Sequence, residues 1–428
     1  MKKSVLVLAT AIAGSAFAAQ VDRVLVRQQW PWSSEVRVEY VVSGTTAPAA
    51  VSFAFYDGAT LLTPTDLTAL QGDTAYAGNG IHVVTFDPKA LFGLSDTDQF
   101  ADFKVQVTLG EESEIMGDKL YKIIDLDTGK ITDLIRADFY NNKGYGTYET
   151  NFADFGSGGW NTSLENVLVW TGVTNNPIYK TDRIVMRRIT AKDQTFTMGN
   201  NSYTSESPTH SVTLTNDYYL SVFEITQAQH YKLMNSYGSA QTTAEGHEFF
   251  PALGKYSALW GRTENWPAGG HDATMSKFLL ALRNLANDAV AFDFPTEAQW
   301  EFACRAGTST QWYIGKNGDS VADRNRLGVV MGGTGTAPEK VGSYLPNAFG
   351  LYDMYSNAAE FCLDRYGSYT AEAVTDPAGP TSGSERVIRG AHYSSIYSAK
   401  SHATTWRGGV TTGGGSNLYG CRLWCPAD

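Results

Sequence analysis

The residues best placed to do chemistry lie in the second half of the chain. Asp353 and Glu360 stand in residues 350–366, GLYDMYSNAAEFCLDRY, among small and aromatic residues just ahead of a cysteine. Calcium takes about six to eight hard oxygen ligands, commonly carboxylates mixed with backbone carbonyls of an irregular loop. A turn whose acids accept backbone hydrogen bonds is the plainer alternative. Glu297 and Glu301, in residues 294–307, FPTEAQWEFACRAG, sit one helical turn apart. They could form an acid–base pair, although capping and solvation of a helix explain them better. His392 and His402 share a loop with Ser394 and Ser395, a spacing that suits ligand contact better than metal ligation. There is no GxSxG elbow, HExxH helix, P-loop or CxxC pair. The four cysteines, Cys304, Cys362, Cys421 and Cys425, are an even set that permits three pairings in an oxidising compartment, with a reactive thiol as the alternative.

The elements that must position these groups follow from local rules. Thr296 and Gln299 form a capping box that starts a helix. Its Trp300, Ala303 and Cys304 share one face, Glu297 and Glu301 are expected on the opposite, solvated side, and Gly307 is suited to stop it. Thr226 and Gln229 form a second capping box, with Tyr231 and Leu233 in the helix body. Residues 274–286 read as an amphipathic helix whose stripe is Met275, Phe278, Leu279, Leu282 and Leu285.

At 428 residues the chain is too long for one core, which implies two or three domains. Its 42 glycines, 23 tyrosines and 20 phenylalanines favour strands, turns and loops over helical bundles. A net charge of −11 supplies no electrostatic footprint for nucleic acid or an anionic membrane. Residues 1–18 read as a bacterial secretory signal: Lys2 and Lys3, an apolar run, then Ala16-Phe17-Ala18. The run is too short to span a bilayer, so a protein that is secreted, periplasmic or at the cell surface, with no membrane insertion, is expected. Residues 19–112 alternate apolar and polar positions between Gly, Pro, Asp and Thr clusters, the pattern of an immunoglobulin-like β-sandwich. Residues 113–182 read as a connector, and 183–428 as a second domain.

Three ordered segments carry a family resemblance: FPTEAQWEFACRAG, GLYDMYSNAAEF, and RVIRG with YGCRLWC downstream (residues 386–425). They resemble the formylglycine-generating enzyme, or sulfatase-modifying factor, family over about residues 183–425. TFTMG at 195–199 and the segment beginning Glu206-Ser207-Pro208-Thr209-His210 resemble further family segments. The resemblance implies a loop-rich α+β domain of C-type-lectin type. It implies a structural calcium held by the side chains of Asp353 and Glu360 and the carbonyls of Ser356 and Ala358. Here Ser356 replaces the usual glycine, and Ala359 and Phe361 replace bulky positions. It also implies bridges that tie Cys304 and Cys362 each to one of Cys421 and Cys425.

The family's oxidase holds copper(I) between two cysteine thiolates shortly after the arginine-glycine segment, and soft thiolates are not replaced there by hydroxyls. In this chain that stretch, residues 389–402, has no cysteine, so copper and a catalytic site are not expected. The reading is non-catalytic recognition of a protein, peptide or glycan through the loops of residues 389–417. Its expected contact residues are His392, Tyr393, Ser395, Tyr397, His402, Trp406 and Arg407. A formylglycine-generating oxidase is the alternative. A second alternative is a lectin-fold protein with retroelement-diversified loops, because Tyr, Ser, His, Thr, Gly and Asn dominate residues 390–420.

Overall fold

Alternation shapes the N-terminal unit, residues 1–120 and 134–146. Along Val36–Ser43 every second side chain, Val36, Val38, Tyr40 and Val42, is buried while its neighbours face outward. The strand pairs with Gln20–Gln28 and Gly80–Phe86. A second antiparallel sheet is built on Ala49–Asp57, which pairs with Thr60–Leu62, Tyr76–Ala77 and Phe103–Glu112. Buried residues of both sheets, Tyr40, Phe55, Val84 and Val105 among them, form one cluster. The structure, a computed structural model, describes residues 6–7, 19–28, 33–95, 98–141, 143, 147–150, 167–238, 244–256, 260–262, 266–272, 276–313, 327–328, 337–395, 403–411 and 417–427. Of the stretch expected as a signal sequence only Leu6–Val7 is described before residue 19, as a short strand opposite Val24 and Leu25.

The second unit is residues 121–133 and 147–428. Its main sheet runs in the order Ile131–Ile135, Lys119–Asp125, Arg183–Ile189, Tyr218–Ser221, Trp424–Pro426. Two strands from the expected connector thus belong to this sheet, and the chain's last strand closes its other edge. Arg183–Ile189 is buried through Ile184, Val185, Met186 and Arg187, as a strand flanked on both sides must be. A second sheet sets Arg407–Thr411, Glu385–Arg389, Ala359–Arg365 and Tyr419–Gly420 side by side, and a third joins Gln194–Met198, His210–Leu214 and Val374–Thr375.

Both capping boxes form. Gln229 N donates to Thr226 Oγ1 at 3.2 Å and Thr226 N to Gln229 Oε1 at 3.0 Å, starting helix Gln227–Met234. Thr296 and Gln299 exchange the same bonds at the head of Glu297–Arg305. That helix stops at Ala306, one residue before Gly307, with both in the left-handed region. Helix Lys277–Leu285 buries Phe278, Leu279 and Leu282; Met275 lies outside the described residues.

The cysteine expectation is corrected. All four are buried, and none is joined in a disulfide. Cys304 and Cys362 sit in one hydrophobic cluster, with Cys304 Sγ 4.0 Å from Met354 O, while Cys421 and Cys425 sit in another, with Cys425 Sγ 3.8 Å from Met186 Sδ. A bridge needs Cα atoms within about 7 Å and convergent Cβ vectors, and these thiols are packed into different cores. Alkylation of the denatured, unreduced protein should label four thiols by mass; two or fewer labels would contradict this arrangement.

Candidate recognition site

The site is framed by buried ion pairs that the sequence pattern misplaced. Glu297 and Glu301 do not face solvent: they are 4% and 0% exposed. Glu301 Oε1 accepts from Arg305 Nη2 at 2.8 Å, Arg305 Nε at 3.0 Å and Gly199 N at 3.0 Å, and its Oε2 accepts from Arg389 Nη2. Arg407 donates to both oxygens of Glu297, at 2.7 and 2.8 Å, and lies over the rings of Tyr366 and Tyr369. The supposed outer face of the helix is therefore covered by strands from the other motifs. Burial alone would raise Glu301, but Arg305 and Arg389 overcompensate and hold its carboxyl below the usual range. Burial likewise opposes the charge on Arg389, and Glu301 above all pushes it the other way, so the guanidinium is held more firmly protonated than usual.

A third pair joins the remaining motifs. Arg422 Nε lies 3.1 and 3.2 Å from the two oxygens of Glu360, Arg422 Nη2 lies 2.9 Å from one, and Trp300 Nε1 donates to Oε2 at 2.6 Å. This pairing bears on the calcium expectation. Both Glu360 oxygens are already engaged by the Arg422 guanidinium. Asp353 Oδ2 accepts from Gly342 N at 2.6 Å, while its buried Oδ1 has no partner among the described residues. Asp353, Ser356, Ala358 and Glu360 do not fit a calcium shell, and Glu360 with Arg422 reads as framework. The turn itself is held by a residue the sequence reading missed. Glu224 accepts from Ala358 N at 2.7 Å and from Asn357 Nδ2 at 2.6 Å, supporting Ser356 and Asn357 in the left-handed region at φ 69° and 60°.

Arg389 also closes the loop expected to recognise ligand. Its Nη1 donates to the carbonyls of Thr405 and Trp406 at 2.7 and 2.6 Å, so the two ends of residues 390–406 meet on one guanidinium. Gly390, at φ 84°, starts the loop; a Cβ there would meet the Trp300 ring at 3.2 Å. His392 N donates to Ser395 Oγ and Ser395 N to His392 O, forming a tight turn with both side chains half-buried. Trp406 is also half-buried. Two expected contact residues are instead internal: Tyr393, 6% exposed with its hydroxyl on Asn417 O, and Arg407, committed to Glu297. Tyr397 and His402 lie outside the described residues.

The sulfatase-modifying factor enzyme 1-like domain family matches residues 183–425, more than half the chain. The chain belongs to that family. It is similar to the formylglycine-generating enzyme of Mus musculus, 26% identical over 239 residues, covering 46% of this chain and 63% of that one. The formylglycine-generating enzyme of Streptomyces coelicolor is 36% identical over 126 residues, covering 25% and 40%. The chain thus spans less than two thirds of the length of these curated relatives. Treponema denticola variable protein 1 is similar in structure, with a TM-score of 0.47 and 24% identity over 57% of this chain and 96% of that one.

In this member of the sulfatase-modifying factor family no thiol reaches the loop among the described residues. Cys304, Cys362 and Cys421 are fully buried, and burial pushes their thiols up, away from the thiolate form that binds soft metals. A cleft elsewhere in the domain escaped the sequence reading. It holds about 670 Å³ between Gln194–Met198 with its following turn and the segment Gly307 to Gln311, with Thr405 on a third side. The only sequence signal was a run of small polar residues after each element, Asn200-Asn201-Ser202 and Thr308-Ser309-Thr310-Gln311.

Replacing Glu301 by Ala should cost roughly 3–5 kcal/mol in denaturant unfolding, because Arg389 and Arg305 would be left buried with an unmatched charge. A loss under about 1 kcal/mol would show that the pair is not shielded in solution. Asp364 supplies a pH test. It accepts from Glu297 N at 2.7 Å, and burial first, then Glu297, pushes its carboxyl up to about 7. The folded state therefore holds a proton that the unfolded state has released near pH 4. Its contribution is complete below that pH and is lost as pH rises to about 7, by at most about 1.4 kcal/mol per pH unit. Comparing unfolding free energies from pH 4 to 7 should show the wild type losing stability relative to Asp364→Asn; parallel curves would refute the assignment.

Proposed function

We propose that this protein is an exported, non-catalytic recognition module of the sulfatase-modifying factor family. The N-terminal unit would act as an immunoglobulin-like spacer, and the loop from residue 390 to residue 406 would meet a protein, peptide or glycan partner. One observation carries the reading: residues 389–402, where the family's oxidase places its copper-binding thiolates, contain no cysteine, and the described cysteines are all buried. The loop's anchoring supports it as well. Arg389 fixes both loop ends to a buried carboxylate, so a partner would meet a surface already ordered at its base, which limits the entropy lost on binding. His392, Ser395 and Trp406 are the described expected contact residues that keep partial exposure. Tyr393 and Arg407 act from beneath as supports.

The purified full chain, incubated with a CxPxR peptide, copper(I), oxygen and a thiol reductant, should leave the peptide cysteine unchanged by mass spectrometry. Repeated turnover of that cysteine to an aldehyde would sink the non-catalytic reading and restore the oxidase alternative.

A further inference from the structure

We propose that the cleft between Gln194–Met198 and the segment after helix Glu297–Arg305 is a second binding site, built for a neutral saccharide or similar polyol. The inference rests on no part of the loop reading. Its volume of about 670 Å³ lies within the range of roughly 300–1,000 Å³ of small-molecule sites. Of its sixteen lining residues, eleven are Ser, Thr, Asn or Gln, which argues against an apolar guest. The one charged group in the lining is Arg305. Its Nε and Nη2 both donate to Glu301, at 3.0 and 2.8 Å, so those two donors are already committed and are not offered to an anion.

Donor direction narrows the ligand further. The hydroxyls of Thr308, Thr310 and Thr405 donate away from the cleft, to Arg305 O at 2.9 Å, Trp312 O at 2.7 Å and Glu206 Oε2 at 2.7 Å. What each has left to offer a guest is lone pairs. At these three positions the cleft accepts hydrogen bonds, and a ligand rich in O–H groups is their complement. On the strand side the partly exposed Phe196 packs edge to face on the buried Phe302, with centroids 5.4 Å apart, and offers its ring to the C–H face of a sugar. The walls are a strand, a helix end and a turn tied back to them. Thr404 N and Oγ1 both donate to Gln311 O, at 3.1 and 3.2 Å.

The test is saturation-transfer NMR and calorimetry on the full chain with maltotriose, chitobiose, mannobiose and lactose, and with a sulfated chondroitin disaccharide as the charged control. At least one neutral saccharide should saturate in the millimolar range or tighter, with the sulfated control no tighter. Thr197→Trp, an exposed strand position that would fill the cleft with an indole, should weaken binding at least about tenfold. Ser309→Trp fills it from the other wall and serves if the first variant folds poorly. His392→Ala should leave this binding unchanged. The proposal is overturned if none of the neutral saccharides binds, if neither filling variant weakens binding, or if the sulfated sugar binds more tightly. None of those results touches the loop reading, because His392 does not line the cleft.

Discussion

The contact between Glu301 and Arg389 is the one on which the rest of the C-terminal unit depends. Each residue is fully buried, so neither charge has water to fall back on. Glu301 stands on the helix that begins at the Thr296 cap, and Arg389 ends the strand Glu385–Arg389. Around them Arg305 shares the Glu301 carboxylate on one side, and Glu297 with Arg407 forms a further pair on the other. Glu360 and Arg422 add a third pair beneath the turn at residues 353–358. The three sequence segments that carry the family resemblance are thus the three partners in one buried charge network. Such a network discriminates sharply between registers, since any slip leaves an unpaired charge in the core.

That network accounts for keeping a family signature without its thiolates. A fold can carry many functions on the same scaffold, and function has to be argued from the site. Here the motif residues serve packing: Trp300 against Glu360, Arg407 between two tyrosines, Arg389 across the base of a loop. Between these anchors run the segments that carry no part of the charge network. The loop after Gly390 and the cleft beside Thr405 both hang from the same frame, and both present polar side chains with no activated nucleophile among the described residues.

Much of this was readable from local rules. Capping at Thr226 and Thr296, the buried stripe of Lys277–Leu285 and the alternation of Val36–Ser43 depend on neighbours within a turn or a pleat, so sequence spacing determined them. The family, with its mixed helices and strands, was likewise legible in three motifs. Side-chain partners across motifs were decided only in three dimensions. Helical spacing could separate Glu297 and Glu301 from Trp300, but it could not tell that strands would cover their face, because that covering comes from residues about ninety positions away or more. The same distance in sequence hid the Arg422 guanidinium that claims Glu360 and the two separate cores that hold the cysteines apart. The cleft belongs with these: its walls come from four stretches whose polar residues look like ordinary turn composition until tertiary packing brings them face to face.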